Sequence, residues 1–181
     1  MTATADPRPE ASLAAALQSA CPGIGLRNEG ESDLDFVRGL YASVRARELA
    51  PVPWSEAQKR SFTDAQLDLQ RSHYREHYPG AEFIVIEQGG VPIGRMYLCR
   101  FPREIRLMDI TLAETSRNAR VGTRLLRALL DIARNERRSV TLHVEPDNPV
   151  QSLYRRLGFE KIESRGVYEF LGWSAEARPP T

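Results

Sequence analysis

Hydrophobic positions along this chain change period several times, and each change marks an element. Val37, Leu40, Tyr41 and Val44 recur at helical spacing behind Ser32 and Asp35, which read as a helix start. Pro51 and Pro53 interrupt the chain, and Ser55 with Gln58 three residues on reads as a capping box. The helix it opens runs to about residue 77, and Phe62, Ala65, Leu69 and His73 form its expected packing stripe. At residues 83–86 the pattern becomes a continuous apolar run, too short for a helix and closed by Gly89-Gly90, so it predicts a buried strand and a turn. Residues 93–98 are its hairpin partner and 105–112 a third strand. A helix over 122–137, a strand over 140–144, a helix over 149–157 and a last hairpin from 160–165 and 167–173 follow. This order predicts an α/β (α+β) domain with a mixed, mostly antiparallel sheet and helices on both faces.

Ahead of these elements, residues 1–23 carry Pro7, Pro9, Pro22 and many Ala, and read as a mobile N-terminal arm with at most one short helix over 12–20. The globular domain is then expected over 24–181, its first strand at 24–27. With 181 residues, 41% hydrophobic and 27% charged, the chain fits a single soluble domain. A net charge of +1 gives no bulk field for nucleic acid or an anionic membrane. Cys21 and Cys99 form no C-x-x-C pair, so neither a zinc site nor a disulfide framework is suggested, and a reducing cytoplasm fits. No stretch has the length of a membrane span. His73 and His77 stand four apart without a third ligand or an H-E-x-x-H pattern, which leaves no metal site.

Two motifs carry chemistry. The first, Asn148-Pro149 through Gly158-Phe159, has an Asn suited to a helix N-cap, a Pro suited to the first helical position and a Gly suited to C′. Val150, Leu153, Tyr154 and Leu157 recur on one face of that helix, which turns a phenol toward the packing side. The second is Arg117-Asn118-Ala119-Arg120-Val121-Gly122-Thr123, between a strand and a helix. Unpaired amides and a positive dipole end make such a place an anion site. Beyond it, Arg124, Arg127, Arg134 and Arg138 form a polar stripe opposite Leu125, Leu126, Leu129 and Leu130. This is the solvated side of an amphipathic helix; Asp131 interrupts it and no nucleic-acid motif accompanies it.

The run Asn148, Leu153-Tyr154, Gly158-Phe159 resembles the N-x-x-(A)-x-x-L-Y-x-x-x-G-F signature of the GNAT (N-acetyltransferase) superfamily, with Val150 at the usual Ala. Arg117 and Gly122 match that family's acetyl-CoA loop, (Q/R)-x-x-G-x-(G/A), while Asn118 and Arg120 replace glycines that let backbone approach phosphate. The resemblance implies a GNAT fold in which the fourth and fifth strands splay apart and acetyl-CoA lies between them. It implies an acyltransferase that moves the acetyl group directly to a primary amine, of a small molecule or a protein, with Tyr154 as general acid. Ile110, Thr111 and Leu112 would hold the acetyl and pantetheine groups. Val121, Gly122 and Thr123 would offer backbone N–H groups to the diphosphate, Arg117 and Arg120 would add side-chain donors, and Asn148 would contact the cofactor or brace the helix start.

Arg106 stands near the place where some relatives carry a basic Glu. His143 is therefore the candidate general base, because imidazole titrates near neutrality, with Asp109 to orient it. The alternatives are polar groups satisfied within the sheet and water relaying the proton. Trp54, His73, Tyr74, His77 and Tyr78 are the candidates for an aromatic wall of the acceptor pocket. The family also forms homodimers in which the last strands take part, and no residue here selects that state. The competing reading is a GNAT-fold acyl-CoA-binding or protein-interaction module with little or no turnover; the altered glycine loop favours it and Tyr154 opposes it.

Overall fold

The computed structural model describes residues 11–117 and 120–175. Its sheet has seven strands in the order β1-β2-β3-β4-β5-β7-β6. These are β1 (Gly25–Asn28), β2 (Glu82–Gln88), β3 (Val91–Arg100), β4 (Glu104–Leu112), β5 (Ser139–Val144), β6 (Glu160–Arg165) and β7 (Tyr168–Trp173). Every neighbouring pair is antiparallel except β4 with β5. That parallel step needs a crossover, which α4 (Val121–Glu136) supplies. The mixed sheet of the sequence reading is therefore present.

One face of the sheet is apolar. Ile84, Ile86, Met96, Leu98, Ile105, Val140 and Leu142 meet Leu125, Leu126, Leu129 and Ala133 of α4 in the main core. A buried leucine there contributes roughly 1.5–3 kcal/mol relative to exposure. The arginines of α4 are used at its margins, as the amphipathic reading expects: Arg124 donates to the Pro22 carbonyl at 2.7 Å and Arg134 lies 5.3 Å from the Trp173 ring centroid.

Residues 11–23 correct the expectation of a mobile arm. Ser12 accepts the Ala15 N–H and caps α1 (Leu13–Ala20), whose Leu13 and Leu17, together with Cys21, are buried in the main core. The Glu82 carboxylate accepts the Leu13 and Ala14 N–H groups at 2.7 and 2.9 Å, countering the positive end of the helix. Gln18 then pairs with the free edge of β1, donating to the Ile24 carbonyl and accepting the Leu26 N–H at 2.6 Å. That edge is thereby covered. The remainder of the expected arm, residues 1–10, lies outside the described residues.

The opposite face carries α2 (Leu34–Leu49) and α3 (Glu56–His77). Ser55 and Gln58 form the expected reciprocal cap, with bonds of 2.9 and 3.2 Å. The stripe expected to pack is a different one. Thr63 and Leu67 are buried, whereas Phe62 and Leu69 are exposed, at 38% and 73%. The reason is chemical: under α3 lie charged groups, so Gln70 and Arg71 reach down to them and the apolar contact shrinks to Val37, Tyr41 and Leu67.

Candidate active site

The strands β4 and β5 pair only from Glu104 opposite Ser139 to Leu107 opposite Leu142. Past that point β4 continues to Leu112, while β5 continues beside β7, with His143 opposite Phe170 and Val144 opposite Glu169. The two strands part into a V-shaped opening. A β-bulge sits at its apex: Tyr97 pairs with Asp109 and Leu98 with Leu107, so Met108 is the extra residue.

The bulge reverses which side chains face the core. Ile105 and Leu107 face the apolar core before it, and Ile110 and Leu112 pack there after it. Asp109 and Thr111 consequently turn to the α2–α3 face, where the Thr111 hydroxyl donates to Asp109 Oδ1 at 3.1 Å. Tyr74 of α3 donates its hydroxyl to the carbonyl of the bulged Met108 at 3.3 Å. Close packing holds the outer part of the strand: a Cβ at Gly94 would stand 2.5 Å from the Thr111 carbonyl oxygen, so only glycine fits.

Tyr154 enters from α5 (Gln151–Arg156). The regular helix starts two residues later than expected, yet Asn148 does the capping work, its Oδ1 accepting the Val150 N–H at 3.0 Å. At the other end the Phe159 N–H donates to the Tyr154 carbonyl and the Gly158 N–H to the Arg155 carbonyl, both at 3.0 Å, with Gly158 at φ 91°. This is a Schellman motif, and its accompanying apolar contact is the Phe159 ring on the Tyr154 ring, 5.4 Å between centroids. The spacing from Tyr154 to Gly158-Phe159 is thus a device that fixes the phenol. Tyr154 is 5% exposed, and burial, with the Asp109 charge adding, pushes its hydroxyl above the ordinary phenol value.

At the N-terminus of α4, Arg120 adopts the left-handed conformation at φ 60° and its carbonyl accepts the Arg124 N–H at 2.9 Å. The amides of Val121, Gly122 and Thr123 have no acceptor within the helix and mark its positive end. Val121 is buried and anchors the turn. Arg117 folds back to donate to the Leu112 carbonyl at 3.2 Å, while Arg120 is exposed. Asn118 and Ala119, which complete the loop motif, lie outside the described residues. Unpaired amides beside an arginine, at the end of an open strand, fit a phosphate-bearing cofactor with an extended arm.

The structure separates two residues expected to work as a pair. His143 is exposed and stacks on Phe170 at 4.8 Å, and Arg106 and Arg165 lie against the same ring at 5.2 and 4.1 Å. Partial burial and those two guanidiniums hold its imidazole below the ordinary value. Asp109 is not its orienting partner, because the carboxylate is engaged by Arg95, whose Nε lies 2.5 Å from Oδ2. The pairing fails because the two residues sit on the diverging parts of β4 and β5.

Among the wall candidates, Trp54 packs edge-on to Phe62 at 5.2 Å and is 40% exposed. His73 and His77 stack on each other at 4.2 Å on the exposed side of α3. Tyr78 is half-buried between Tyr74 and Phe101. Tyr74 is the α3 aromatic that reaches β4, and burial raises its hydroxyl above the ordinary value. Arg95 was not anticipated at all, since a lone arginine in an apolar strand carries no pattern. Among the described residues no cluster of three metal-ligating side chains occurs, and no helix is long and apolar enough to cross a membrane.

Comparison with known proteins agrees with this geometry. A family model described as the acetyltransferase (GNAT) family matches residues 45–159. No curated protein matches. Among solved structures, the chain is similar to the PaiA N-acetyltransferase of Thermoplasma acidophilum in complex with coenzyme A. That match has 18% identity and TM-score 0.62, over 83% of this chain and 98% of the other. A GNAT-family acetyltransferase from Staphylococcus aureus Mu50 aligns at 16% identity and TM-score 0.60, over 84% and 99%. The ribosomal-protein-S18-alanine N-acetyltransferase of Escherichia coli aligns at 14% identity and TM-score 0.56, over 83% and 93%.

Proposed function

The chain belongs to the GNAT acetyltransferase family, and from that premise we propose that it transfers the acetyl group of acetyl-CoA directly to a primary amine, with Tyr154 as general acid. The observation that carries this reading is the buried Tyr154, fixed by its Schellman turn and close enough to β4 for the Asp109 charge to act on its hydroxyl, where β4 and β5 no longer pair. Acetyl-CoA, the cofactor of the family, supplies an acetyl group activated as a thioester. The amides of Val121, Gly122 and Thr123 hold its diphosphate, with Arg117 and Arg120 as side-chain donors. The backbone of Ile110, Thr111 and Leu112, unpaired toward β5, receives the acetyl and pantetheine groups as a neighbouring strand would. Asn148 braces the start of α5 through its Oδ1, and its amide N–H groups are the donors that would reach the cofactor.

Proton traffic follows from the local environments. Tyr154 is protonated at neutral pH, as an ordinary phenol is, and burial raises its hydroxyl further, so it can donate to the departing thiolate. His143 stays neutral because its imidazole is held low, so it can take the proton released by the amine. Asp109 lies on the same face of the sheet as His143, across the opening, and accepts an amine N–H in place of orienting the imidazole.

The test is calorimetric titration with acetyl-CoA, followed by thiol-release assays on butylamine, 2-phenylethylamine and a lysine peptide. Micromolar binding and turnover of at least one amine are expected. Tyr154→Phe should lower kcat by on the order of 10²-fold or more while acetyl-CoA affinity stays within about twofold. Binding of acetyl-CoA without transfer to any amine would favour the non-catalytic acyl-CoA-binding module. Equal turnover by Tyr154→Phe would remove the tyrosine from the mechanism.

A further inference from the structure

The face that carries the acceptor side of the opening contains a buried charge. Arg95, on β3, is 2% exposed. Its guanidinium lies between the rings of Tyr97 and Tyr41, 4.9 and 5.7 Å from their centroids. Gln70 accepts from Nη2 at 3.4 Å, and Nη1 has no hydrogen-bond partner. Its close partner is the Asp109 carboxylate, in contact at 2.5 Å without the geometry of a linear hydrogen bond. A buried ion pair is often no more stabilising than apolar residues of equal volume, because desolvating two charges offsets their attraction. Its use therefore has to be sought in the chemistry of the opening. The Asp109 side chain is 19% exposed; Oδ2, against Arg95, is buried, so the exposure falls on the Oδ1 side, where the oxygen that accepts the Thr111 hydroxyl keeps a second lone pair.

Resting on the acetyltransferase reading, we propose that Arg95 is a positioning residue that neutralises Asp109, so that the acceptor is held as a neutral amine and not as an ammonium ion. The chemistry requires this distinction. An ammonium nitrogen has no lone pair to attack a thioester, and an unpaired carboxylate in a poorly solvated cleft would stabilise the ammonium form. With Arg95 in contact the pair carries no net charge, and Asp109 accepts an N–H without raising the amine's affinity for its proton. Thr111 fixes the remaining oxygen through its 3.1 Å hydrogen bond. The other groups facing Asp109 are phenols: Tyr97 opposite it on β3, Tyr74 from α3 and Tyr154 from α5. Burial holds all three protonated, so none substitutes for the arginine.

The experiment is the pH dependence of kcat and of the amine KM, measured on whichever of butylamine, 2-phenylethylamine or the lysine peptide the parent protein acetylates. Arg95→Met keeps the volume and removes the charge; Arg95→Lys restores a cation. In Arg95→Met the acid limb of kcat should move up by about one pH unit. That makes turnover at pH 7 about tenfold slower while the amine KM falls or stays level. Arg95→Lys should return most of the shift. Arg71→Met breaks the other buried pair of this face, Arg71 with Glu29, and should lower thermal stability without moving the limb. An unmoved limb in a folded, active Arg95→Met protein overturns the inference and leaves the acetyltransferase reading intact. So does the same shift in Arg71→Met. A parent protein that binds acetyl-CoA and acetylates none of the amines removes the reading and the inference together. Should Arg95→Met fail to fold, the neutral polar Arg95→Gln takes its place: a limb displaced upward supports the inference, and an unchanged limb in a folded, active protein overturns it.

Discussion

The two faces of the sheet are built on opposite terms. Beneath α1 and α4 the contacts are Leu, Ile, Val and Met, with fully buried Leu125 and Leu129 against Ile84, Met96 and Ile105. Beneath α2 and α3 the apolar cluster is small, Val37, Tyr41 and Leu67 with half-buried Phe36 against them, and the interface also holds Arg95 with Asp109, Arg71 with Glu29, and Tyr97 donating to Glu29 at 2.5 Å. The first face can supply stability by area alone. The second gains little from burying charges and spends its residues on fixing where a carboxylate and the phenols of Tyr74 and Tyr97 stand. The division of labour runs through the sheet, and the bulge at Met108 is where one strand changes sides.

The comparison can be broken from either side. The largest effect expected on stability is on the apolar face, where Leu129→Ala should cost about 3 kcal/mol in denaturant unfolding, with kcat per folded molecule unchanged. Loss of kcat alone, with stability intact, would mean the faces are not divided in this way. Next, His143→Gln should slow acetyl transfer at pH 7 by on the order of 10-fold, with little change in melting temperature. The gap should narrow as pH rises and the amine loses its proton unaided. A constant gap across pH would show that His143 shapes the site without taking a proton.

The smallest effect lies at the rim of the charged face. Arg27 grips Asp33 through both carboxylate oxygens, at 2.7 and 2.8 Å, and the Gly30 N–H donates to it as well; these bonds hold the Asp33 carboxyl down at about 2. A carboxyl depressed in the folded state stabilises above its ordinary value of about 3.9 and loses that contribution as pH falls toward the folded value. Arg27 is 42% exposed, so solvent screens the pair. Asp33→Asn should therefore cost only about 1 kcal/mol at pH 7, and the difference from the parent should close between about pH 4 and pH 2 when unfolding is followed by circular dichroism.

Much of this molecule was legible along the chain because its signals are local. The period of Leu125, Leu126, Leu129 and Ala133, the capping box of Ser55 and Gln58, and the Asn148 to Phe159 signature are each complete within one or two turns. Such features are determined by neighbouring residues, and the element order and family resemblance followed from them. The helix of residues 13–20 was readable only as a weak possibility, because its anchor is the carboxylate of Glu82, nearly seventy residues away in sequence.

Tertiary structure decided the rest. Which stripe of α3 is buried depended on charges brought up by β3 and β4, so Tyr74 turned inward and His73 outward. Whether Asp109 served His143 or Arg95 depended on one extra residue in β4 and on strands that stop pairing after Leu107. Alternation predicts the side of a strand residue only while the register is regular. A bulge is set by the partner strand and the helices above it, and no period in a single chain announces it.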